Sequence, residues 1–161
     1  MRAHGHLYSQ NREPYKQSTA VMELVKSSIN LRYDLFPYLY TQFYLTASTG
    51  LPLMRPLWYE FPIDPKTNEI DTQYMLGPSL MVAPKLTKML NKEFMKPAQY
   101  SVPTYFPGDA IWYPWGEKYQ KITGNHSIDR ILHESEHGLY VRGGSLLITQ
   151  FNQGRKRLSI N

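Results

Sequence analysis

Residues Asp71-Thr72-Gln73-Tyr74-Met75-Leu76-Gly77-Pro78-Ser79-Leu80-Met81-Val82-Ala83-Pro84 carry the change of character on which the fold turns. Residues 71–76 read as one helical turn that Gly77-Pro78 breaks, because proline lacks a backbone donor and pushes its predecessor out of the helical region. Residues 79–83 then read as a short buried strand. A boundary therefore falls near Ser79, with helix-rich sequence before it and strand-rich sequence after it.

Downstream, short apolar runs are separated by Pro97, Pro103, Pro107-Gly108, Pro114, Gly116, Gly124 and Gly143-Gly144. No helical period of useful length interrupts them, which is the pattern of a small antiparallel β-sandwich. Upstream, Val21, Leu24, Val25, Ile29, Leu31, Leu35, Leu39 and Phe43 recur at three and four, the spacing of one helical face. Ser18 or Thr19 can cap that helix, Glu23 favours its dipole and Gly50 can end the helical stretch. Pro37 should split it near Tyr33. The stripe Tyr33, Phe36, Tyr40, Phe43 and Tyr44 reads as core packing rather than a sugar or base platform. Residues 51–61 read as buried, but Pro52 and Pro56 argue against a central antiparallel strand.

Most of the chemistry sits in the first fifteen residues, MRAHGHLYSQNREPY, a polar and aromatic run with no strand or helix period. That is the look of a loop lining a site. If the run is extended, His4 and His6 point to one side. Elsewhere the sequence excludes more than it offers. The 161 residues carry a net charge of +5, and the basic cluster Arg155-Lys156-Arg157 is too short for a nucleic-acid stripe. Without cysteine there is no disulfide framework, thiol nucleophile or cysteine zinc site. No signal peptide is visible, and no apolar run reaches the length of a membrane span.

His133-Glu134-Ser135-Glu136-His137 satisfies the zinc-peptidase pattern H-E-x-x-H. Its flanks read as strand, Gly138 follows at once, and no Asp or Glu occurs downstream to act as a third ligand. A polar turn between strands is the better reading, with a zinc-dependent hydrolase built on His133, Glu134 and His137 as an alternative. Glu13, Asp34, Glu60, Asp64, Glu69 and Asp71 are the carboxylates open to glycosidic chemistry, and no position singles one out.

Longer runs are more specific. Arg2-Ala3-His4-Gly5-His6-Leu7 with Arg12-Glu13-Pro14, Arg32-Tyr33-Asp34-Leu35-Phe36-Pro37-Tyr38-Leu39-Tyr40-Thr41, and Gly50-Leu51-Pro52-Leu53-Met54-Arg55-Pro56-Leu57-Trp58 come first. The stretch at 71–84 comes next, and after it Tyr105-Phe106-Pro107-Gly108, Trp112-Tyr113 and Val141-Arg142-Gly143-Gly144-Ser145. In this order the chain resembles the family 31 glycoside hydrolases, the α-glucosidases. Its opening run is most similar to the endoplasmic-reticulum branch, whose catalytic α subunit works with a regulatory β subunit. The chain departs from the family at Pro114, where an Asp is common, and in the linker at 85–103.

The resemblance implies an α/β plus all-β chain. Residues 1–78 would be the last two βα units of a (β/α)8 TIM barrel, with its eighth strand at 53–58, and residues 79–161 a proximal antiparallel β-sandwich. It further implies that His4 binds sugar hydroxyls, with Arg2 organising it and His6 in support. Family members retain anomeric configuration with two Asp, one as nucleophile and one as acid then base. Both lie upstream of the Arg-x-His run, so this chain would be a fragment holding no catalytic residue, poorly soluble and inactive alone. The parent would take α-glucoside oligosaccharides or glycans, and its expected compartment is the endoplasmic reticulum lumen, with lysosome or secretion as alternatives. No cofactor, metal, nucleic acid or membrane span enters this reading. A third reading is a non-catalytic carbohydrate-binding module.

Overall fold

The computed structural model describes residues 7, 11–86, 99–117, 120–133 and 135–150. They belong to two compact units, residues 1–41 with 148–161 and residues 42–147. In the first, a 3-10 turn at Pro14–Lys16 leads to helix α1, Thr19–Asp34. Ser18 caps α1 by accepting a hydrogen bond from the Val21 amide, as its residue type favours.

The periodic stretch does split at Pro37, into α1 and helix α2, Phe36–Thr49. Pro37 has no amide hydrogen to give the Tyr33 carbonyl. Gln150 repairs the loss: its side-chain amide donates to Tyr33 O at 2.9 Å and its backbone N–H to Asp34 O at 3.0 Å. Gly50, at φ +77°, closes α2 by donating to Thr46 O.

The aromatic stripe differs from its core reading. Leu35, Tyr38 and Gln42 are buried, whereas Tyr33, Phe36, Tyr40, Phe43 and Tyr44 are exposed, Tyr40 by 69%. Their spacing follows the helix period, but among the described residues no layer covers that side, so periodicity identified the helix and not its packing.

The second unit takes in the end of α2, and beyond it the secondary structure of the described residues is antiparallel sheet with one helical turn, α3 (Leu57–Glu60), and a 3-10 turn at Pro65–Glu69. Its strands are β1 (Met54–Pro56), β2 (Tyr74–Leu76), β3 (Leu80–Val82), β4 (Gln99–Phe106), β5 (Ile111–Pro114), β6 (Ile122–Thr123), β7 (His126–His133) and β8 (Leu139–Arg142). One sheet runs β1-β2-β3-β8-β5-β6, and β4 and β7 form a long two-stranded ribbon.

The stretch at 71–84 is a hairpin. Tyr74–Leu76 is a strand rather than a helical turn, and Leu76 pairs with Leu80 across Gly77, Pro78 and Ser79. Gly77, at φ +61°, lets the loop reverse, so Gly-Pro marks the tip of a hairpin and not the end of a helix. The expectation of an eighth barrel strand at 53–58 also gives way: β1 pairs antiparallel with β2, Arg55 opposite Met75, whereas barrel strands pair in parallel. The position between residues 78 and 79 consequently lies inside one sheet, between β2 and β3.

The core collects Leu57, Phe61, Met75, Met81, Ala83, Phe106, Trp112, Ile122 and Tyr140 from the large sheet, the ribbon and the turn α3. Phe106 meets Tyr140 edge-on, ring centroids 4.9 Å apart, and the Trp112 indole N–H donates to Pro107 O at 3.2 Å. Gln73 joins the sheet segment to the ribbon: its side-chain N–H donates to Tyr105 O at 2.9 Å while its oxygen accepts from Tyr105 N at 2.8 Å. A side chain thus fills the place of a neighbouring strand's peptide. At Gly138 a Cβ would fall on the Ala83 carbonyl, so β3 and the approach to β8 close up only because the residue is glycine.

Candidate functional site

Arg2, His4 and His6 lie outside the described residues. The described part of the opening run begins beyond them. Leu7 is exposed, and the Gln17 side chain donates to Asn11 O at 2.9 Å, tying the loop across the 3-10 turn. Glu13, the acidic member of Arg12-Glu13-Pro14, keeps one buried carboxylate oxygen without a hydrogen-bond partner among the described residues.

Two other candidate carboxylates have structural duties. Glu60, nearly buried, forms an ion pair with Arg55, and its second oxygen lies 4.0 Å from the Arg142 guanidinium. Arg55 also donates to Pro52 O at 2.6 Å, and the Arg142 guanidinium stacks over Phe61 at 4.8 Å. Buried charges persist only when paired in this way. Asp64 accepts from the Lys66 amide through one oxygen and from the Tyr105 hydroxyl through the other, at 2.6 Å. Burial, helped by the bond to Asp64 and its charge, pushes the Tyr105 phenol up to about 12. Neither carboxylate is presented for acid–base work.

The H-E-x-x-H run does not form a helix. His133 ends β7 and is exposed, with its Nε2 3.5 Å from the Gln99 side chain, while His137 sits in the turn before β8. Glu136, not Glu134, serves the turn, accepting from the His133 amide at 2.7 Å. Glu134 lies outside the described residues. No group of three or more His, Asp or Glu side chains able to hold a metal occurs among the described residues. The zinc pairing fails because it needs two imidazoles one helical turn apart, and this backbone is a strand and a turn.

His137 instead faces a cavity. Burial lowers its pKa below the usual imidazole value, and its Nε2 is buried without a partner among the described residues. Nothing in the sequence marks His137 apart from His133; only the register of β7 and β8 separates them.

Two domains of a known family match the chain in sequence. The Glycosyl hydrolases family 31 TIM-barrel domain matches residues 1–42, and the Glycosyl hydrolase family 31 C-terminal domain matches residues 50–147. The α-glucosidase of Aspergillus niger is 36% identical over 155 residues, covering 92% of this chain and 14% of its own length. Human neutral α-glucosidase AB is 33% identical over 147 residues, covering 91% of this chain and 14% of its own. Among solved structures, a family 31 dextranase of Flavobacterium johnsoniae complexed with glucose superposes with a TM-score of 0.74. It is 30% identical, and the match covers 84% of this chain and 16% of the dextranase. The chain therefore spans about one seventh of the length of these relatives. With its two domains in family order and its second unit built as antiparallel sheet, this chain belongs to glycosyl hydrolase family 31.

Proposed function

We infer that the chain is the junction piece of a retaining α-glucosidase, joining the end of the catalytic barrel to the C-terminal domain. The observation that carries this is the match of both family domains, in order, over residues 1–42 and 50–147. The α-glucosidase names of the similar curated proteins support an α-glucoside substrate, which this reading takes to be terminal α-linked glucose on oligosaccharides or glycans. On this reading α1 and the first part of α2 belong to the barrel's last βα units. The C-terminal domain begins near residue 50 rather than 79, since β1 already pairs within its sheet.

His4 donates to or accepts from hydroxyls of the glucose being cleaved, Arg2 holds the loop around it, and His6 supports that loop. The nucleophilic and acid–base Asp of the retaining mechanism lie outside this chain. Similarity to neutral α-glucosidase AB favours the endoplasmic reticulum lumen and a regulatory β subunit as partner.

The chain expressed alone should release no aryl group from an aryl α-glucoside above the uncatalysed rate, because one sugar-contacting histidine offers neither nucleophile nor acid. It should retain glucose contact that weakens in His4→Ala. Turnover abolished by His4→Ala would overturn the placement of the catalytic groups, and glucose contact at that loop unchanged in the variant would overturn the role of His4.

A further inference from the structure

Asn125-His126-Ser127 is the only place in the chain where an asparagine is followed two residues later by serine or threonine. An Asn-x-Ser/Thr tripeptide whose middle residue is not proline is the acceptor pattern for asparagine-linked glycans when it stands on an exposed turn. So short a pattern arises by chance, and its placement decides whether it can serve.

Asn125 lies between β6 and β7, where the chain leaves the large sheet for the ribbon. Its φ of +65° is in the left-handed region, which asparagine enters more readily than most residues. Gly124 beside it has no room for a side chain, because a Cβ there would fall on the Gly108 carbonyl. Backbone bonds fix the turn: Gly124 N–H donates to Ala110 O at 2.9 Å and Asn125 N–H to Phe106 O at 2.7 Å. Asn125, His126 and Ser127 are all exposed, so the turn is held by its backbone and not by burial of these side chains. Left-handed geometry accounts for an asparagine at 125, but it asks nothing of residue 127.

The reacting atom is within reach. The Asn125 side-chain amide donates to Asp109 Oδ1 at 2.6 Å, and since a carboxylate only accepts, that bond identifies the nitrogen end of the amide. The nitrogen carries two hydrogens, so one can be replaced while the other keeps the bond to Asp109, itself exposed. Beside Asn125 runs an open groove of about 430 Å³, lined by Phe61, Ile63, Pro65 and Gly108 among others. Ile63 is 95% exposed there. A sugar on Asn125 therefore has free space next to it and an apolar side chain for the C–H face of its ring.

We propose that Asn125 is the acceptor of an asparagine-linked glycan. The transfer joins Asn125 Nδ2 to the anomeric carbon of an oligosaccharide carried on a polyprenyl pyrophosphate. The anomeric C–O bond to the pyrophosphate breaks, Nδ2 loses one proton, and the polyprenyl pyrophosphate leaves. The modification rests on the lumenal compartment given under the proposed function, since this pattern is read in secretory proteins.

The test expresses the 161-residue chain behind an added, cleavable secretion signal in cultured eukaryotic cells, so that delivery to the lumen is supplied. Electrophoresis should show one mobility step that peptide N-glycanase removes. After that enzyme, mass spectrometry of the tryptic peptide 122–130 should read residue 125 as aspartate. Asn125→Gln and Ser127→Ala should each lose the step, and Ser127→Thr should keep it. Ser127→Ala separates the site from the turn, because it leaves Asn125 and its bond to Asp109 in place. Near-ultraviolet circular dichroism of the Trp112 core should be the same in the glycosylated chain and in Ser127→Ala. A chain without the step, a step that survives Asn125→Gln, or a core signal lost only when the glycan is present would overturn the proposal. Because the added signal provides delivery, each of these outcomes counts against Asn125 and none against the compartment, which fractionation of cells making the parent protein tests separately.

Discussion

Gln73 shows how one side chain stands in for backbone. It satisfies both the N–H and the C=O of Tyr105 on β4 while being itself 4% exposed. Gln73→Leu keeps the volume but leaves two buried backbone groups unpaired, each worth about 1–3 kcal/mol. Urea unfolding should lose about 3 kcal/mol, with an unchanged denaturant slope as the sign that the fold persists. His137 sets a second expectation. Burial depresses its pKa in the folded chain, with Arg130, Glu117 and Glu136 lining the same cavity. As pH falls below the unfolded value of about 6.5, the unfolded chain takes up the proton first, and stability drops until the folded pKa is passed. Above that value the penalty is absent. The denaturation midpoint should therefore fall between about pH 7.5 and about pH 5, and His137→Gln should flatten part of the slope. An identical slope in the variant would show that another group titrates.

At the scale of elements, sequence reasoning succeeded where one period dominates and failed where two coincide. α1 and α2 were legible because apolar residues recur at three and four from Val21 to Phe43 and Pro37 interrupts them once. The stretch at 71–84 misled because Tyr74 and Leu76 are apolar yet only half-buried, between the buried Gln73, Met75 and Gly77. The alternation is real in burial and invisible in hydrophobicity. Pro56 correctly argued against a central strand, since β1 is the sheet's edge, where a missing donor costs little. The resemblance then assigned that strand to the barrel, and the antiparallel register of Arg55 with Met75 and the C-terminal-domain match from residue 50 correct it. The cavity was illegible for a related reason. Arg130 and Tyr140 come from two strands, Trp115 from the residue after β5 and His137 from a turn, and their convergence depends on Tyr113 pairing with Val141, which no local pattern encodes.

For the whole molecule, the exposed stripe of α1 and α2 is the feature with the largest consequence. Tyr33, Phe36, Tyr40, Phe43 and Tyr44 form a run of large apolar groups at helical spacing. In an isolated chain, large apolar side chains exposed together along a helix are a liability for association. The similar relatives are about seven times longer, and residues 1–42 match the family's TIM-barrel domain, so the rest of such a barrel would be a cover for this face. Alone, the chain should self-associate through this face: sedimentation velocity at about 100 µM should show species heavier than the monomer, in the concentration range where exposed apolar surface drives association. Replacing Tyr40 and Phe43 by Lys should restore the monomer with unchanged helical circular dichroism, because both side chains are more than half exposed and the Tyr40 ring stacks only on Phe36, itself exposed, among the described residues. A wild-type chain that stays monomeric at that concentration would mean the stripe is covered from within, and would separate its role from barrel closure altogether.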